Sequence, residues 1–172
     1  PLPQAPRHRM QSIYDLTLEG LREAVTGLGE PAFRAAQVFQ WLWRRRVRSF
    51  EEMSNVSKGL RSRLAEGHDL YRPEPATVLT STDGTVKFLL RLRDGEHIET
   101  VLIPEREHYT LCLSTQVGCA MACTFCSTGT MGFSRNLSHG EILGQILAAE
   151  DHIEAAKLPM TLRNLVFMGM GE

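Results

Sequence analysis

The chain has 172 residues, of which 42% are hydrophobic and 23% charged, and its formal net charge is −1. These values are typical of a folded globular protein and exclude a disordered, collagen-like or coiled-coil chain. No apolar stretch approaches the roughly 20 residues that a membrane-spanning helix needs, and no signal-peptide pattern opens the sequence. We therefore expect a cytoplasmic protein that does not enter a membrane.

The two ends of the sequence suggest part of a longer protein. The first residue is Pro1 rather than Met, and Glu172 closely follows the apolar run at residues 165–168. Such a run is typical of a buried strand, which needs a further layer of structure beside it. We therefore expect the N-terminal portion of a larger, truncated fold.

Helical signals dominate the first part of the chain. Residues 1–12 contain three prolines and are predicted to be a loose leader. Thr17 is placed to cap a first helix that Gly29 ends. A second helix is predicted from Pro31 to about Arg46. Its apolar face is expected to be formed by Phe33, Ala36, Phe39 and Trp43, with Leu42 alongside.

Two short helices complete this helical region. Ser49 and Glu52 have the spacing of a capping box, and Ser57 is placed to cap a further helix that Gly67 ends. We therefore predict a small, four-helix domain over residues 13–72. Residues 34–63 contain eight basic and two acidic residues, a local charge of +6, which fits either a phosphate-binding surface or a solvated helix face.

Strand signals follow a predicted linker at residues 72–75. Asp83-Gly84 and Asp94-Gly95 are hairpin-turn signals, and apolar residues alternate with polar ones between them. Residues 76–104 are therefore predicted to form an antiparallel β-meander.

The last region, residues 105–172, is predicted to be a βαβ unit. A strand over residues 109–114 leads into a Cys- and Gly-rich loop, and Ser138 and Glu141 form a second capping box that opens an apolar helix. The run at residues 165–168 is predicted to be a parallel strand that is buried on both faces.

All four cysteines lie close together, and the last three have the spacing Cys-x3-Cys-x2-Cys at Cys119, Cys123 and Cys126. Without a secretory signal, this clustering favours a metal centre over a disulfide framework. A zinc site would need a fourth ligand, such as His108 or Cys112. Three thiolates on a four-iron cluster leave one iron open to a substrate, and this spacing after a strand is the radical S-adenosylmethionine (SAM) signature.

The region around the cysteines resembles a known family. Residues 110–129, with residues 132–137 and 164–172, are similar to the radical SAM adenine C2-methyltransferases of ribosomal and transfer RNA, the RlmN family. Residues 29–42 resemble the accessory helical domain of that family. The Cfr antibiotic-resistance enzymes, which methylate adenine C8, share the cysteine loop and are the competing family.

The resemblance implies an α/β fold in which the helical domain and the meander lead into the first βαβ unit of a partial (β/α)6 barrel. It also implies roles for seven residues. Cys119, Cys123 and Cys126 would ligate a [4Fe–4S] cluster, Gly171 and Glu172 would contact SAM, Glu99 would accept a proton, and Cys112 would be a second catalytic cysteine. Considered without the family, Glu99 is expected to be an exposed strand charge and Cys112 a small, buried apolar residue.

In the family, a cysteine far downstream carries a methyl group taken from SAM, and a 5′-deoxyadenosyl radical activates that group for addition to the adenine ring. A base then removes the ring proton, and a thiol releases the product by forming a disulfide bond. No residue follows Glu172, so this chain alone is expected to be inactive. The resemblance further implies a monomer with ribosomal RNA and transfer RNA as partners and flavodoxin or ferredoxin as electron donor.

Two functions without radical chemistry also fit the sequence. One is a zinc-stabilised nucleic-acid-binding module, in which the cysteines hold zinc and the basic helices contact the nucleic acid. The second is a remnant that binds RNA but has lost its chemistry. Metal analysis distinguishes the zinc module from a radical SAM enzyme, because only the enzyme binds iron together with acid-labile sulfide.

Overall fold

The computed structural model describes residues 10–171 and divides into two compact units, with the boundary between Tyr71 and Arg72. Most of the predicted leader and one predicted SAM contact, Glu172, lie outside the described residues. Among the described residues, no helix combines the length and apolar character needed to cross a bilayer.

Over its described residues, 10–71, the first unit contains three α-helices, two 3₁₀ turns and two very short strands. In chain order these are β1 (Gln11–Ser12), a turn at Ile13–Asp15, α1 (Leu18–Gly27), α2 (Phe33–Trp43), a turn at Phe50–Glu52, α3 (Lys58–Gly67) and β2 (His68–Asp69).

The predicted helix starts are confirmed by side-chain caps. The Thr17 hydroxyl accepts a hydrogen bond from the Gly20 N–H, and the Ser57 hydroxyl accepts one from the Leu60 N–H. The capping box of Ser49 and Glu52 is also present, although it opens a 3₁₀ turn. Such caps satisfy backbone N–H groups that have no partner within the helix.

The predicted apolar face of α2 is largely wrong, although Leu42 is buried as expected. Its buried residues are Ala35, Val38 and Leu42, whereas Phe33 is 58% exposed. The helix is apolar on most of its circumference, so residue spacing alone fits two neighbouring faces equally well.

Part of the predicted leader is ordered in the first unit. β1 pairs in parallel with β2, with Gln11 opposite His68 and Ser12 opposite Asp69. The Ser12 hydroxyl donates to the Tyr71 carbonyl at 3.3 Å. A two-residue strand carries too little periodicity to be recognised in a sequence.

The second unit is built on one five-stranded sheet. Its elements are β3 (Glu74–Thr80), β4 (Val86–Arg91), β5 (His97–Pro104), β6 (Tyr109–Cys112), β7 (Gln116–Gly118), α4 (Ser127–Thr130), β8 (Phe133–Asn136), α5 (His139–Ala155) and β9 (Leu162–Val166). The strand order is β3-β4-β5-β6-β9, and β7 and β8 form a separate two-stranded ladder.

Both predicted strand patterns are present in this sheet. β3, β4 and β5 form the antiparallel meander, and β6, α5 and β9 form the βαβ unit with β6 parallel to β9. β5 also pairs with β6, so the meander and the βαβ unit are continuous. The predicted linker is not loose, because Arg72 is buried and forms an ion pair with Asp151 on α5.

The hydrophobic core lies on one face of the sheet. Alternate residues of β4 and β5, including Phe88, Leu90, Ile98 and Leu102, are fully buried. They belong to the same core cluster as Ala149 and Ile153 of α5, and the predicted capping box of Ser138 and Glu141 fixes the start of that helix. Because strand residues alternate between faces, the residues between these core positions lie on the opposite face.

The prediction that residues 165–168 are buried on both faces is wrong. β9 spans Leu162–Val166, and Leu165, Phe167 and Met168 are 44%, 54% and 65% exposed. Within the described residues, β9 has a neighbouring strand only on its β6 side. A parallel strand is buried when both its neighbours and both its faces are covered, and here one edge is open.

Candidate functional site

The three cysteines of the motif lie on a loop that a short ladder closes. β7 precedes Cys119 and pairs with β8, which follows the loop. The Cys119 N–H donates to the Gly132 carbonyl at 3.0 Å, and the Cys126 N–H donates to the Cys123 carbonyl at 3.2 Å. All four cysteines of the chain are half-buried and none forms a disulfide bond.

Two glycines allow this loop to be compact. A Cβ atom on Gly118, which has φ +74°, would lie 1.8 Å from the Gly132 carbonyl oxygen. A Cβ atom on Gly129 would lie 2.5 Å from the Cys123 carbonyl oxygen. Any side chain at either position would therefore push the loop strands or the cysteine turn apart.

The donor atoms of this loop are cysteine sulfurs, which is the chemical type of ligand that an iron–sulfur cluster requires. Thiolates are the protein ligands of iron–sulfur clusters, and the loop supplies three of them within eight residues. Between residues 10 and 171, no three His, Cys, Asp or Glu side chains are already placed to hold a metal ion.

The geometry disfavours His108 as a fourth zinc ligand. His108 precedes β6 and the cysteine loop follows it, so about 13 Å of strand separates them. The His108 ring instead contacts the Asn164 amide, with 2.8 Å between Nε2 and Nδ2. Phe125, which lies between Cys123 and Cys126 in the sequence, is 91% exposed.

The predicted SAM-contacting glycine lies beside the base of the cysteine loop. Gly171 has φ +94°, and its carbonyl accepts a hydrogen bond from the Thr115 hydroxyl at 2.8 Å. A Cβ atom on Gly171 would lie 2.5 Å from the Gln116 side chain. The backbone of residues 169–171 can therefore run close to residues 113–116 only because two glycines flank Met170.

Glu99 and Cys112 lie on the same face of the sheet. Val101 on β5 is opposite Cys112 on β6, and Glu99 is two residues from Val101, so all three side chains share one face. We call this the open face; it lies opposite the core and α5 and carries Lys87, Leu89, Glu99, Val101 and Cys112. The β6 strand then leads from Cys112 into the cysteine loop.

Hydroxyl groups hold the backbone around both residues. The Ser114 hydroxyl donates to the Glu99 carbonyl at 2.6 Å, and the Thr100 hydroxyl donates to the Cys112 carbonyl at 2.6 Å. The Glu99 carboxylate also forms an ion pair with Lys87 at 2.9 Å. The strand register and these hydrogen bonds thus fix the backbone positions of Glu99 and Cys112, the two predicted catalytic residues.

Sequence reasoning missed a buried amide that ties α5 to the base of the loop. Gln145 is fully buried, accepts a hydrogen bond from the Ser114 N–H and donates to the Ser114 carbonyl, each at 2.9 Å. A glutamine on the apolar face of a predicted helix was the available signal, because a buried amide must have hydrogen-bond partners.

Sequence reasoning also missed Arg135, which lies on β8 just after the cysteine loop. Arg135 donates to both oxygens of Glu141, at 2.7 and 2.9 Å, and its Nε donates to Asp94 at 2.8 Å. The hydrogen bonds with Glu141 raise the pKa of Arg135; burial opposes this effect and Asp94 reinforces it. The exit of the loop is thereby fastened to α5 and to the β4–β5 turn.

The basic stretch of the first unit is partly used for internal bonds. Arg63 donates to the Leu28 carbonyl and forms an ion pair with Glu30 at 2.5 Å, and Arg61 donates to the Glu51 carbonyl. Arg44 and Arg45, which follow α2, are exposed. Arg61 and Arg63 are therefore tied to internal partners, whereas Arg44 and Arg45 are open to a ligand.

A comparison with solved structures identifies the class of protein. The chain aligns with a radical SAM methyltransferase from Sphaerobacter thermophilus at a TM-score of 0.84 and 43% identity, over 94% of this chain and 47% of that one. The backbone of this chain therefore matches the first part of a radical SAM fold. The Cys-x3-Cys-x2-Cys motif follows the first strand of its βαβ unit.

Comparisons of sequence find relatives in one family. Residues 11–69 match the ribosomal RNA large subunit methyltransferase N-terminal domain. The chain is 58% identical to a dual-specificity RNA methyltransferase RlmN from Nitratidesulfovibrio vulgaris and 54% identical to one from Solidesulfovibrio magneticus, each over 95% of this chain. The chain is therefore similar to the RlmN family over nearly its whole length. It spans 46–47% of the length of these curated relatives.

Proposed function

We propose that this chain supplies the cluster loop and the acid–base face of an RNA methyltransferase that modifies C2 of adenosine in ribosomal and transfer RNA. The observation that carries the proposal is the shared sheet face of Glu99 and Cys112 on adjacent strands, of which β6 leads through β7 into the Cys-x3-Cys-x2-Cys loop. A proton acceptor and a thiol on adjacent strands can act on one bound base in succession.

Cys119, Cys123 and Cys126 would hold a [4Fe–4S] cluster, and Gly171 would bring its backbone close to SAM, with Glu172 as a further contact. When bound, the cluster and SAM would supply the radical chemistry that an electron-poor ring carbon requires. Gly171 lies next to the base of the cysteine loop, which supports this pairing of cofactor and cluster.

Two residues of the open face, Glu99 and Cys112, would complete the reaction. Glu99 would accept the proton from adenine C2 after the carbon–carbon bond has formed. Once the adduct has lost its unpaired electron, for which the cluster would be the acceptor, the thiolate of Cys112 would attack the sulfur that tethers the base to the protein. The S–S bond would form as the C–S bond breaks, and the electron pair of the C–S bond would stay on the methylene carbon, which takes up a proton to become the methyl group of the product. Both steps require the base to lie close to one face of the sheet. The Glu99 and Cys112 side chains both extend from that face.

The first unit would contribute electrostatic affinity for RNA. Exposed arginines after α2 can neutralise phosphates and release counterions, and a separate compact unit can present them without disturbing the cluster loop. The proposal further includes flavodoxin or ferredoxin as electron donor, a cytoplasmic location and a monomeric enzyme.

Product mapping in a complete enzyme tests this function. The chain is continued with the second half of a curated relative, loaded anaerobically with iron, sulfide and SAM, and incubated with ribosomal and transfer RNA. We expect mass spectrometry to find 2-methyladenosine in both RNAs and none with Cys119→Ala. Methylation at C8, or none at all from a fully loaded enzyme, would overturn the proposal.

A further inference from the structure

Lys87 and Glu99 form an ion pair on the open face of the sheet. Lys87 Nζ lies 2.9 Å from Glu99 Oε1. The β4–β5 register places Lys87 opposite Val101 and Leu89 opposite Glu99. The lysine therefore reaches the carboxylate diagonally across the two strands, which is within the range of a long side chain.

This ion pair is too exposed to be important for folding. The Lys87 and Glu99 side chains are 45% and 46% exposed, and ion pairs at that exposure contribute little to stability because water and salt screen them. Lys87 is therefore expected to act on the orientation of the Glu99 carboxylate and not on the stability of the fold.

The backbone of Glu99 is fixed independently of Lys87. It pairs with Leu89 in the sheet, and its carbonyl accepts a hydrogen bond from the Ser114 hydroxyl at 2.6 Å. The side chain beyond Cα can still turn about its single bonds. Between residues 10 and 171, Lys87 is the one side chain that donates a hydrogen bond to this carboxylate.

We propose that Lys87 is a positioning residue for the Glu99 carboxylate. The inference rests on the proposed function, in which Glu99 accepts the C2 proton of adenine. An ammonium group bound to Oε1 leaves Oε2 turned away from the lysine and available to the base. The proton moves from C2 to Oε2, its bonding electron pair stays in the ring, and Lys87 keeps all its protons.

Arg91 offers a matched control on the same strand. It lies four residues from Lys87, so it shares the open face, and it forms an ion pair of the same length, 2.9 Å, with Glu74. Arg91→Met removes a similar charge and a similar exposed ion pair from β4 but leaves Glu99 untouched.

The test compares Lys87→Met, Lys87→Arg and Arg91→Met in the complete loaded enzyme. We expect Lys87→Met to lower kcat about 10- to 100-fold, the range typical of a misplaced catalytic group, with KM for RNA, cluster content and SAM binding unchanged. More 5′-deoxyadenosine should form per methylated adenosine, because the step after radical formation is slowed. Lys87→Arg should recover most of the rate, and Arg91→Met should lose none.

A double-mutant cycle separates this inference from the proposed function. If Lys87 acts through Glu99, adding Lys87→Met to Glu99→Gln should cause no further loss. Full activity of Glu99→Gln would refute the role of Glu99 itself. If Glu99→Gln is slow, then additive losses, an unaffected Lys87→Met, or a higher KM with unchanged kcat would refute positioning by Lys87 and leave the role of Glu99 standing.

Discussion

Arg135 and Glu141 are joined by two parallel hydrogen bonds of 2.7 and 2.9 Å, and this pair connects the strand leaving the cysteine loop to the first turn of α5. The Glu141 side chain is only 9% exposed, and one of its oxygens also accepts the Ser138 N–H as part of the capping box. One carboxylate thus serves both the start of the helix and the anchoring of the loop.

Replacing Arg135 should loosen the loop and destabilise the chain. Arg135→Gln removes the charge and leaves the nearly buried Glu141 with its helix cap alone, at a cost of about 2 kcal/mol in the free energy of unfolding. Arg135→Lys should recover only part of this, because an ammonium cannot form the two parallel bonds. Urea unfolding gives the stability, and hydrogen exchange of residues 116–136 should accelerate. Unchanged exchange there would show that the loop does not depend on Arg135.

The ion pair between Arg135 and Asp94 should make stability depend on pH in the acid range. Burial alone would raise the pKa of Asp94, but hydrogen bonds from Arg135 and from the Glu96 N–H lower it below its ordinary value of 3.8. A carboxyl with a lowered pKa stabilises the fold above its unfolded-state pKa, and this contribution is lost as pH falls through the folded-state pKa.

Asp94→Asn should therefore cost about 0.2–1 kcal/mol near pH 7, and the difference from the unaltered chain should shrink steadily below about pH 4. Unfolding curves at a series of pH values measure this. Asp83→Asn is the comparison, because the pKa of Asp83 is lowered by bonds with Thr85 and not by Arg135. Only the difference caused by Asp94→Asn should disappear when Arg135 is replaced by Gln. A difference that grows toward acid would contradict the assigned direction.

Local signals in the sequence predicted much of this fold because they depend on few residues. The caps at Thr17 and Ser57 and the alternation around Phe88 each follow from neighbouring side chains, and all three are found in the structure. The cysteine spacing likewise located the candidate site before any fold was known.

What could not be predicted depends on contacts between distant segments. The buried face of α2 depends on what packs against it, since the helix is apolar almost all round. Arg135 lies 41 residues from Asp94, and Gln145 lies 31 residues from Ser114, so no spacing rule connects them. The exposure of Leu165 follows from its place at the sheet edge, which the strand order alone determines.

Cluster binding should depend on the three loop cysteines and not on Cys112. After anaerobic reconstitution with iron and sulfide, we expect a brown, oxygen-sensitive chromophore that Cys119→Ala, Cys123→Ala or Cys126→Ala each abolishes. Cys112→Ala should retain it, because Cys112 lies on β6 outside the loop. Metal and sulfide analysis checks the result. Stoichiometric zinc without iron would favour a zinc-stabilised nucleic-acid-binding module.

RNA binding by the chain should depend strongly on salt. Neutralising Arg44, Arg45 and Arg46 together to Gln removes a charged cluster directly after α2, and the slope of log affinity against log salt should fall by about 2. Arg22→Gln on α1 is the control, because Arg22 is paired with Glu19 away from that cluster. Fluorescence anisotropy at several salt concentrations measures the slopes. Binding that ignores salt would exclude an electrostatic surface.

Cys112 should act only after the base has become tethered to the protein. In the complete loaded enzyme, Cys112→Ala should therefore trap RNA covalently, because the tether forms and no thiol is present to release it. Glu99→Gln should instead stop turnover at proton removal, with 5′-deoxyadenosine still produced. Val101→Ala is the matched control, since Val101 lies opposite Cys112 on the same face and carries no reactive group; it should behave as the unaltered enzyme.

Denaturing gels reveal the trapped species as a protein band of lower mobility. Treatment with nuclease should return this band to the position of the free protein. The band should be strong for Cys112→Ala and absent for Val101→Ala. It should also be absent when Cys112→Ala is combined with Cys119→Ala, because the radical is then not formed. Normal methyladenosine yields from Cys112→Ala without an adduct would show that the residue is only a half-buried apolar side chain of β6.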